Sequence, residues 1–418
     1  MVFLRSCDPP SRLVIQGRRR LGHGILTWLT IFMGTSLPRA LADDSFPGLS
    51  MFAIQPVPHV LPNARAVAVS PNGTLVAAAS LDAARNDGES DAGRIVIWEM
   101  ATGRLVRSIE TRGDVIQLRF SADGRSLVYG SVRTLGDATD EEATVVHTLD
   151  GSASLSRFPA SAVFAVSPED GGMLLADRAS LCLRFKLPDT DDPVPMPGPD
   201  GGTLAEALAY ASDGGAFAAV YRTREPVDVS PGGSTRTLLR LRGLVIVDST
   251  SMEPTALTRS DALADCSSLD VAKDGSLVAT GHDDGAVRLW KGSTLEPLGT
   301  IEGQAGWPAL ATFNPDGTEL AVLTQPLAAG DGIQPCQLTF YRVPGLEPLR
   351  RIEFVDGAFT TSHARRDRAA LNPRRLAYLP GGDAVVVGVG GVSLVDSATG
   401  AVTRAFDAEH SLTGETAP

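Results

Sequence analysis

One pattern is written along this 418-residue chain seven times. An alternating apolar run is followed by a Pro/Asp/Gly-type turn and then by a second apolar run. The copies lie at 67–80, 115–131, 162–177, 207–221, 268–290, 310–324 and 375–389; the first reads VAVSPNGTLVAAAS and the sixth LATFNPDGTELAVLT. A repeat of this kind decides how a core is built, because each unit is too thin to bury its own apolar faces and has to stack on its neighbours.

In the first unit, Val67, Val69 and the run Leu75–Ala79 carry the spacing of half-buried and buried strands. Pro71 and Gly73 reverse the chain between them, the one by fixing φ and the other by tolerating positive φ. A third strand follows at Ile95–Trp98 and a fourth at Leu105–Ile109. The unit is therefore four antiparallel strands, lettered a to d from the inside out. Third strands recur at 143–149, 180–185, 243–249, 286–290, 337–343 and 391–397. Fourth strands are clear at 294–302, 345–353 and 399–407, weaker at 154–159 and 252–258, and nearly lost in the Pro-rich stretch 186–204. Stacked around a ring, such sheets bury both faces and leave only short edges. Intervals between the turn glycines Gly73, Gly124, Gly171, Gly214, Gly275, Gly317 and Gly381 are 51, 47, 43, 61, 42 and 64 residues. The two shortest match a four-stranded propeller blade, and the longer ones are that period with insertions. The expected fold is all-β: a seven-bladed β-propeller of four-stranded antiparallel blades over 67–407. The last blade has its own fourth strand at 401–406, and residues 51–61 are placed to pair at the edge of that blade.

The fifth copy, TGHDDGAVRLW at 280–290, resembles the signature of the WD-repeat β-propellers, and the likeness extends over 67–407. That family links a Ser or Thr, a Trp, a turn Asp and a His by hydrogen bonds inside the blade. The resemblance implies such roles for Thr280, Asp283 or Asp284, and Trp290, and in the first blade for Ser80 and Trp98. The Gly-His pair that opens the family's repeat is absent from every blade. This implies a divergent member whose blades rely on packing rather than on the buried network.

Residues 1–42 are a different kind of text. Arg18, Arg19 and Arg20 precede the apolar stretch 25–33, and Ala40-Leu41-Ala42 follows. This is the order of a secretory signal with cleavage after Ala42, and the apolar run is short for a membrane span. The expectation is an exported protein, periplasmic or extracellular, with a lead-in at 43–66 and a disordered tail at 408–418. Net charge over the whole chain is −12. Residues 1–42 hold six Arg and one Asp, which leaves 31 basic against 48 acidic residues beyond them. An acidic surface repels phosphate backbones, so nucleic acid is excluded as a general partner. Three of the four cysteines lie beyond residue 42. Cys266 opens an inner strand and Cys336 a third strand, starts that share a face of adjacent blades; an oxidising compartment permits a Cys266–Cys336 disulfide.

Long links between strands b and c fall at 81–93, 132–142, 222–235 and 325–335, and a long d–a link at 354–374. All emerge on one face of a propeller, and insertions kept to one face of a repeat array mark its binding face. Asp87, Glu89 and Asp91 on the first link, with Asp137, Asp140, Glu141 and Glu142 on the second, form an acidic sector. Arg365, Arg366 and Arg368 form a basic one on the d–a link. Opposed sectors orient a polar partner. No Gly-x-Ser-x-Gly, Cys-x-x-Cys or His-Glu-x-x-His motif is present, so no catalytic, metal or cofactor residues are assigned. The sequence thus reads as a monomeric, non-catalytic scaffold for a protein partner, without stable membrane insertion. Two other readings stand beside it: a lactonase-like hydrolase with an acidic or metal site at the channel mouth, and a structural subunit of an envelope assembly.

Overall fold

A computed structural model describes residues 50–52, 64–81, 92–133, 141–149, 155–159, 161–177, 180–186, 193–199, 203–228, 235–264, 266–303, 309–324, 336–354, 375–389 and 391–406. These residues form seven antiparallel sheets, each built in the chain order a-b-c-d. The sheets close into a seven-bladed β-propeller.

Alternation of side chains within each blade builds the ring. In blade 1, Ala77 and Ala79 join the apolar layer with Leu118 and Leu127 of blade 2, whereas Val76 and Ala78 join the layer with Val386 and Val392 of blade 7. Successive strand residues point to opposite faces, so one strand feeds two layers. Similar apolar layers lie between blades 2 and 3, 3 and 4, 4 and 5, 5 and 6, and 6 and 7. The seventh layer, between blades 7 and 1, closes the ring. There Trp98 lies against Phe406 with ring centroids 5.7 Å apart.

Polar side chains stitch the inner strands of neighbouring blades. Gln117 Nε2 donates to Phe164 O (2.6 Å) between blades 2 and 3. Between blades 5 and 6, Ser268 Oγ donates to Ala309 O (3.0 Å), and the Asp270 carboxylate accepts from Phe313 N (2.8 Å) and Thr312 Oγ1 (2.9 Å).

Several expectations need correction. At its start the N-terminal segment pairs with blade 6 rather than the last blade: Ser50–Phe52 runs parallel to the outer strand Glu347–Phe354, with Ser50 opposite Arg350 and Phe52 opposite Ile352, and residues 53–61 lie outside the described residues. The eight-residue outer strand of blade 6 offers a longer open edge than the five-residue Val402–Phe406 of blade 7. In the seventh turn the positive φ belongs to Gly382 (77°), not Gly381; the other six turn glycines are as expected. Blade 3 keeps a fourth strand, only three residues long, at Val194–Met196.

The Cys266–Cys336 bridge is not formed. Cys266 sits in the layer between blades 4 and 5, and Cys336 in the layer between blades 6 and 7. Starts on one face do not bring two sulfurs within disulfide reach when sheets stand between their layers. Together with Cys182 they are buried thiols, each raised to about 12 by burial.

Candidate functional site

The two faces of the ring differ. Each of the seven a–b links is five residues long, as at 70–74 and 314–318, and the c–d links on the same face run from four to seven. On the other face the b–c and d–a links run from a single residue, Gly113, to the 21 residues of 355–375. The short-link face is set by repeat chemistry: Gly124 N donates to Ser121 O (2.9 Å) and Gly275 N to Ala272 O (2.9 Å), each closing its turn over a positive-φ glycine. The long-link face is where the blades individualise.

Blade 4 departs furthest. The link expected at 222–235 is largely strand: Ala216–Asp228 and Thr235–Asp248 pair continuously to Asp228 opposite Thr235, with one bulge after Thr223. Strands b and c of the other blades are five to eight residues long; here they are 13 and 14. A two-stranded arm therefore extends from the blade on the long-link face.

The root of the arm is a charged device. Arg222 and Arg242 stand directly opposite each other on strands b and c, an arrangement that repels by itself. Glu206, on the inner strand Thr203–Tyr210, lies between them with its side chain 2% exposed. Its carboxylate contacts Arg222 Nε on one oxygen and Arg242 Nε on the other, the second at 2.6 Å. One pair inward, the buried ring of Tyr221 occupies the space over Gly243, where any Cβ would collide with it. A second ion pair ties the inner strands on this face, Arg65 to Asp114 at 3.0 Å between blades 1 and 2.

Blade 5 secures its end on the same face with neutral groups. Ala264 O can only accept, so the ring of His282 donates to it from Nδ1 (3.0 Å). Nε2 is then the acceptor for the Thr280 hydroxyl (2.9 Å), whose oxygen in turn accepts from Trp290 Nε1 (2.9 Å). The result is a directed chain from Trp290 through Thr280 and His282 to the d–a link. Burial holds His282 down to about 4, so the neutral tautomer this chain requires is the one present at neutral pH. A histidine thus joins Thr280 and Trp290 from within strand b, two residues after Thr280, which corrects the expectation that blade 5 relies on packing alone. Asp284 serves elsewhere: it accepts from Ala286 N (2.9 Å) inside the turn and pairs with Arg288 (3.1 Å). Asp283 stands beside it, and its carboxylate helps push the Cys266 thiol up.

Strand register separates blade 1 from blade 5, and the side chain of Ser80 lies outside the described residues. Val76 lies opposite Trp98 as Val278 lies opposite Trp290. The residue at the Thr280 position is therefore Ala78, and Ser80 corresponds to His282. Elsewhere Tyr129, Leu175, Ala219, Val322 and Val387 hold the Thr280 position. Among the described residues the hydroxyl–indole pair is seen in blade 5, between Thr280 and Trp290.

Residues 259–291, which span blade 5, match the family model described as WD domain, G-beta repeat. Together with seven four-stranded blades, this decides the family. The chain is a WD-repeat β-propeller. No curated protein matches it at a significant level. WD-repeat propellers are commonly interaction scaffolds rather than catalysts, their rigid ring holding binding surfaces in place.

Of the charged residues expected on the binding face of this WD-repeat chain, Asp87, Glu89, Asp91, Asp137, Asp140, Arg365, Arg366 and Arg368 lie outside the described residues. Glu141 and Glu142 belong to strand c of blade 2, opposite Arg133 and Val132, not to the link. Among the described residues no three His, Cys, Asp or Glu side chains converge as a metal site. Glu206, Arg222 and Arg242 escaped the sequence reading. The available signal is the acid in the inner apolar run TLAEALAY (203–210), because a carboxylate in a buried strand needs a partner.

Proposed function

We propose that this WD-repeat propeller is a non-catalytic module that holds a protein partner on the face formed by its b–c and d–a links. The asymmetry between the faces carries the reading: uniform five-residue turns on one side, and links of one to 21 residues with a projecting arm on the other. Variation collected on one face of a repeat scaffold supports a binding surface there. The buried charges at the arm's root support the same reading, since a fully apolar root would be cheaper to fold. The 1–42 pattern supports export, with the propeller working outside the cytoplasm; amino-terminal sequencing of the protein isolated from its cells is expected to begin at Asp43.

Crosslinking in native cells followed by mass spectrometry tests the face. Crosslinks to a partner are expected at 81–93, 132–142, 222–242 or 354–374. Capture through the a–b turns, at 121–125 or 314–318, overturns the assignment.

A further inference from the structure

We propose that the blade 4 arm offers a docking lane alongside residues 235–241 for an extended, acidic segment of a partner protein, which joins the blade as an added strand. This deepens the binding-module reading and rests on it.

The lane follows from the register. The sheet order places strand d beside strand c, but Pro254–Arg259 pairs with strand c only over Gly243–Val247, ending with Arg259 opposite Gly243. Strand c continues for eight more residues to Thr235, paired on its other side with strand b as far as Asp228. Among the described residues no strand occupies the fourth position along 235–241. The extra residue of the bulge is Arg240, so the regular part of this edge is 235–239; five residues of strand span about 17 Å, and an open edge is a template for another chain. The chain leaves the line of Pro254–Arg259 after Ser260, whose N–H donates to Arg242 O (3.4 Å), and the 3-10 turn Asp261–Leu263 follows; the partner segment would take up the line beyond Arg242.

The two edges of the arm are not equivalent. Strand b carries Pro226, which has no N–H to give, together with Glu225 and Asp228. Strand c from 235 to 242 reads TRTLLRLR: it has no proline and no acid, and it carries Arg236, Arg240 and Arg242. Proline and mixed charge blunt an edge, whereas a basic edge of β-forming residues selects its occupant by charge. An acidic strand fits, with main-chain hydrogen bonds supplying affinity and charge supplying choice. A second copy does not, because its own lane is basic and each whole chain carries −12. The root supports the same role. Glu206 between Arg222 and Arg242, and Tyr221 over Gly243, hold the arm's first pairs in place, which lowers the ordering cost of docking.

Hydrogen–deuterium exchange on the full chain tests the lane, with an acetylated eight-residue peptide of alternating Glu and Val as probe and its Lys–Val counterpart as control. The Glu–Val peptide is expected to slow exchange across 235–241 by about tenfold at saturation, and the Lys–Val peptide to leave it unchanged. The double variant Arg236→Glu/Arg240→Glu is expected to reverse that preference, and Arg236→Gln/Arg240→Gln to weaken Glu–Val protection without creating a response to Lys–Val. Exchange in blade 5 reports whether each variant is folded. Equal slowing by both peptides, or none by either, overturns the lane. Native crosslinks elsewhere on the long-link face would then leave the binding-module reading standing, whereas crosslinks on the short-link face remove both.

Discussion

Blades 4 and 5 stand on either side of one apolar layer, in which Leu244 and Ile246 meet Leu269 and Trp290. They secure their ends on the long-link face by opposite chemistry. Blade 5 uses a neutral chain, Trp290 to Thr280 to His282 to Ala264 O, and its strands stop within five or six residues. Blade 4 places Ala219 and Val247 at the Thr280 and Trp290 positions and puts a carboxylate between two guanidinium groups, from which two strands run on. A neutral chain finishes a blade; a charged root carries an extension. The blade nearest the family pattern is therefore a structural standard, and its neighbour is where individuality is invested.

The largest effect is expected at Trp290. Its side chain is 2% exposed and serves both the apolar layer and the hydrogen-bond chain. Trp290→Ala is expected to cost about 3–5 kcal/mol in urea unfolding. A loss below about 1 kcal/mol would remove blade 5 as the standard.

Acid should separate the two blades next. Burial holds the folded-state His282 at about 4 against its ordinary 6.5, so the unfolded chain takes up a proton first as pH falls. Its contribution is complete above pH 6.5 and is lost progressively down to pH 4, by about 3 kcal/mol in all. Stability measured from pH 7 to 4 in His282→Gln should lack that slope. An unchanged slope breaks the assignment of the neutral tautomer.

Glu206→Ala leaves two facing arginines without their counter-charge. Because Arg222 and Arg242 keep 35% and 17% of their side chains accessible, the cost is expected to be about 2 kcal/mol, below that of a fully buried pair. Hydrogen exchange should accelerate in 223–241 and stay unchanged in 277–291. Acceleration in both segments would show that the root and the neutral chain act as one unit.

Thr280→Val removes one hydroxyl from the blade 5 chain and is expected to cost about 1–2 kcal/mol, whereas Ala78→Thr in blade 1 is expected to gain nothing near that, since it enters a layer already packed. The smallest signal comes from the thiols. Cys182, Cys266 and Cys336 should resist maleimide in the folded protein and react fully after denaturation without reductant. A requirement for reductant would restore the bridge.

Much of this was legible because strand chemistry is local. Turn residues such as Pro71 and Asp274 and the alternation of Val76–Ala79 or Ala384–Val387 report directly on hairpins, and seven such hairpins leave few ways to bury their faces. The rest was not legible. Residue type points to Ser80 in blade 1, but a shift of two places along a strand keeps the face and changes the neighbour, so only the register of Val76 with Trp98 assigns Ala78 to the Thr280 position. Cys266 and Cys336 share a face of the ring but not a layer. The arm reads as a loop because Pro226 and Gly232-Gly233 interrupt the alternation; its pairing is local, with Asp228 opposite Thr235, but the residues carry no clean strand period to announce it.

The amino-acid sequence determined the repeat, its strand content and the face on which insertions emerge, since turn geometry and side-chain alternation act over a few residues. Tertiary structure alone decided which side chains meet: His282 with Thr280 and Ala264, Glu206 with two arginines, and Ser50–Phe52 with blade 6 rather than blade 7. Those choices depend on register and on which strand edges meet, and both are set only when distant strands come together around the ring.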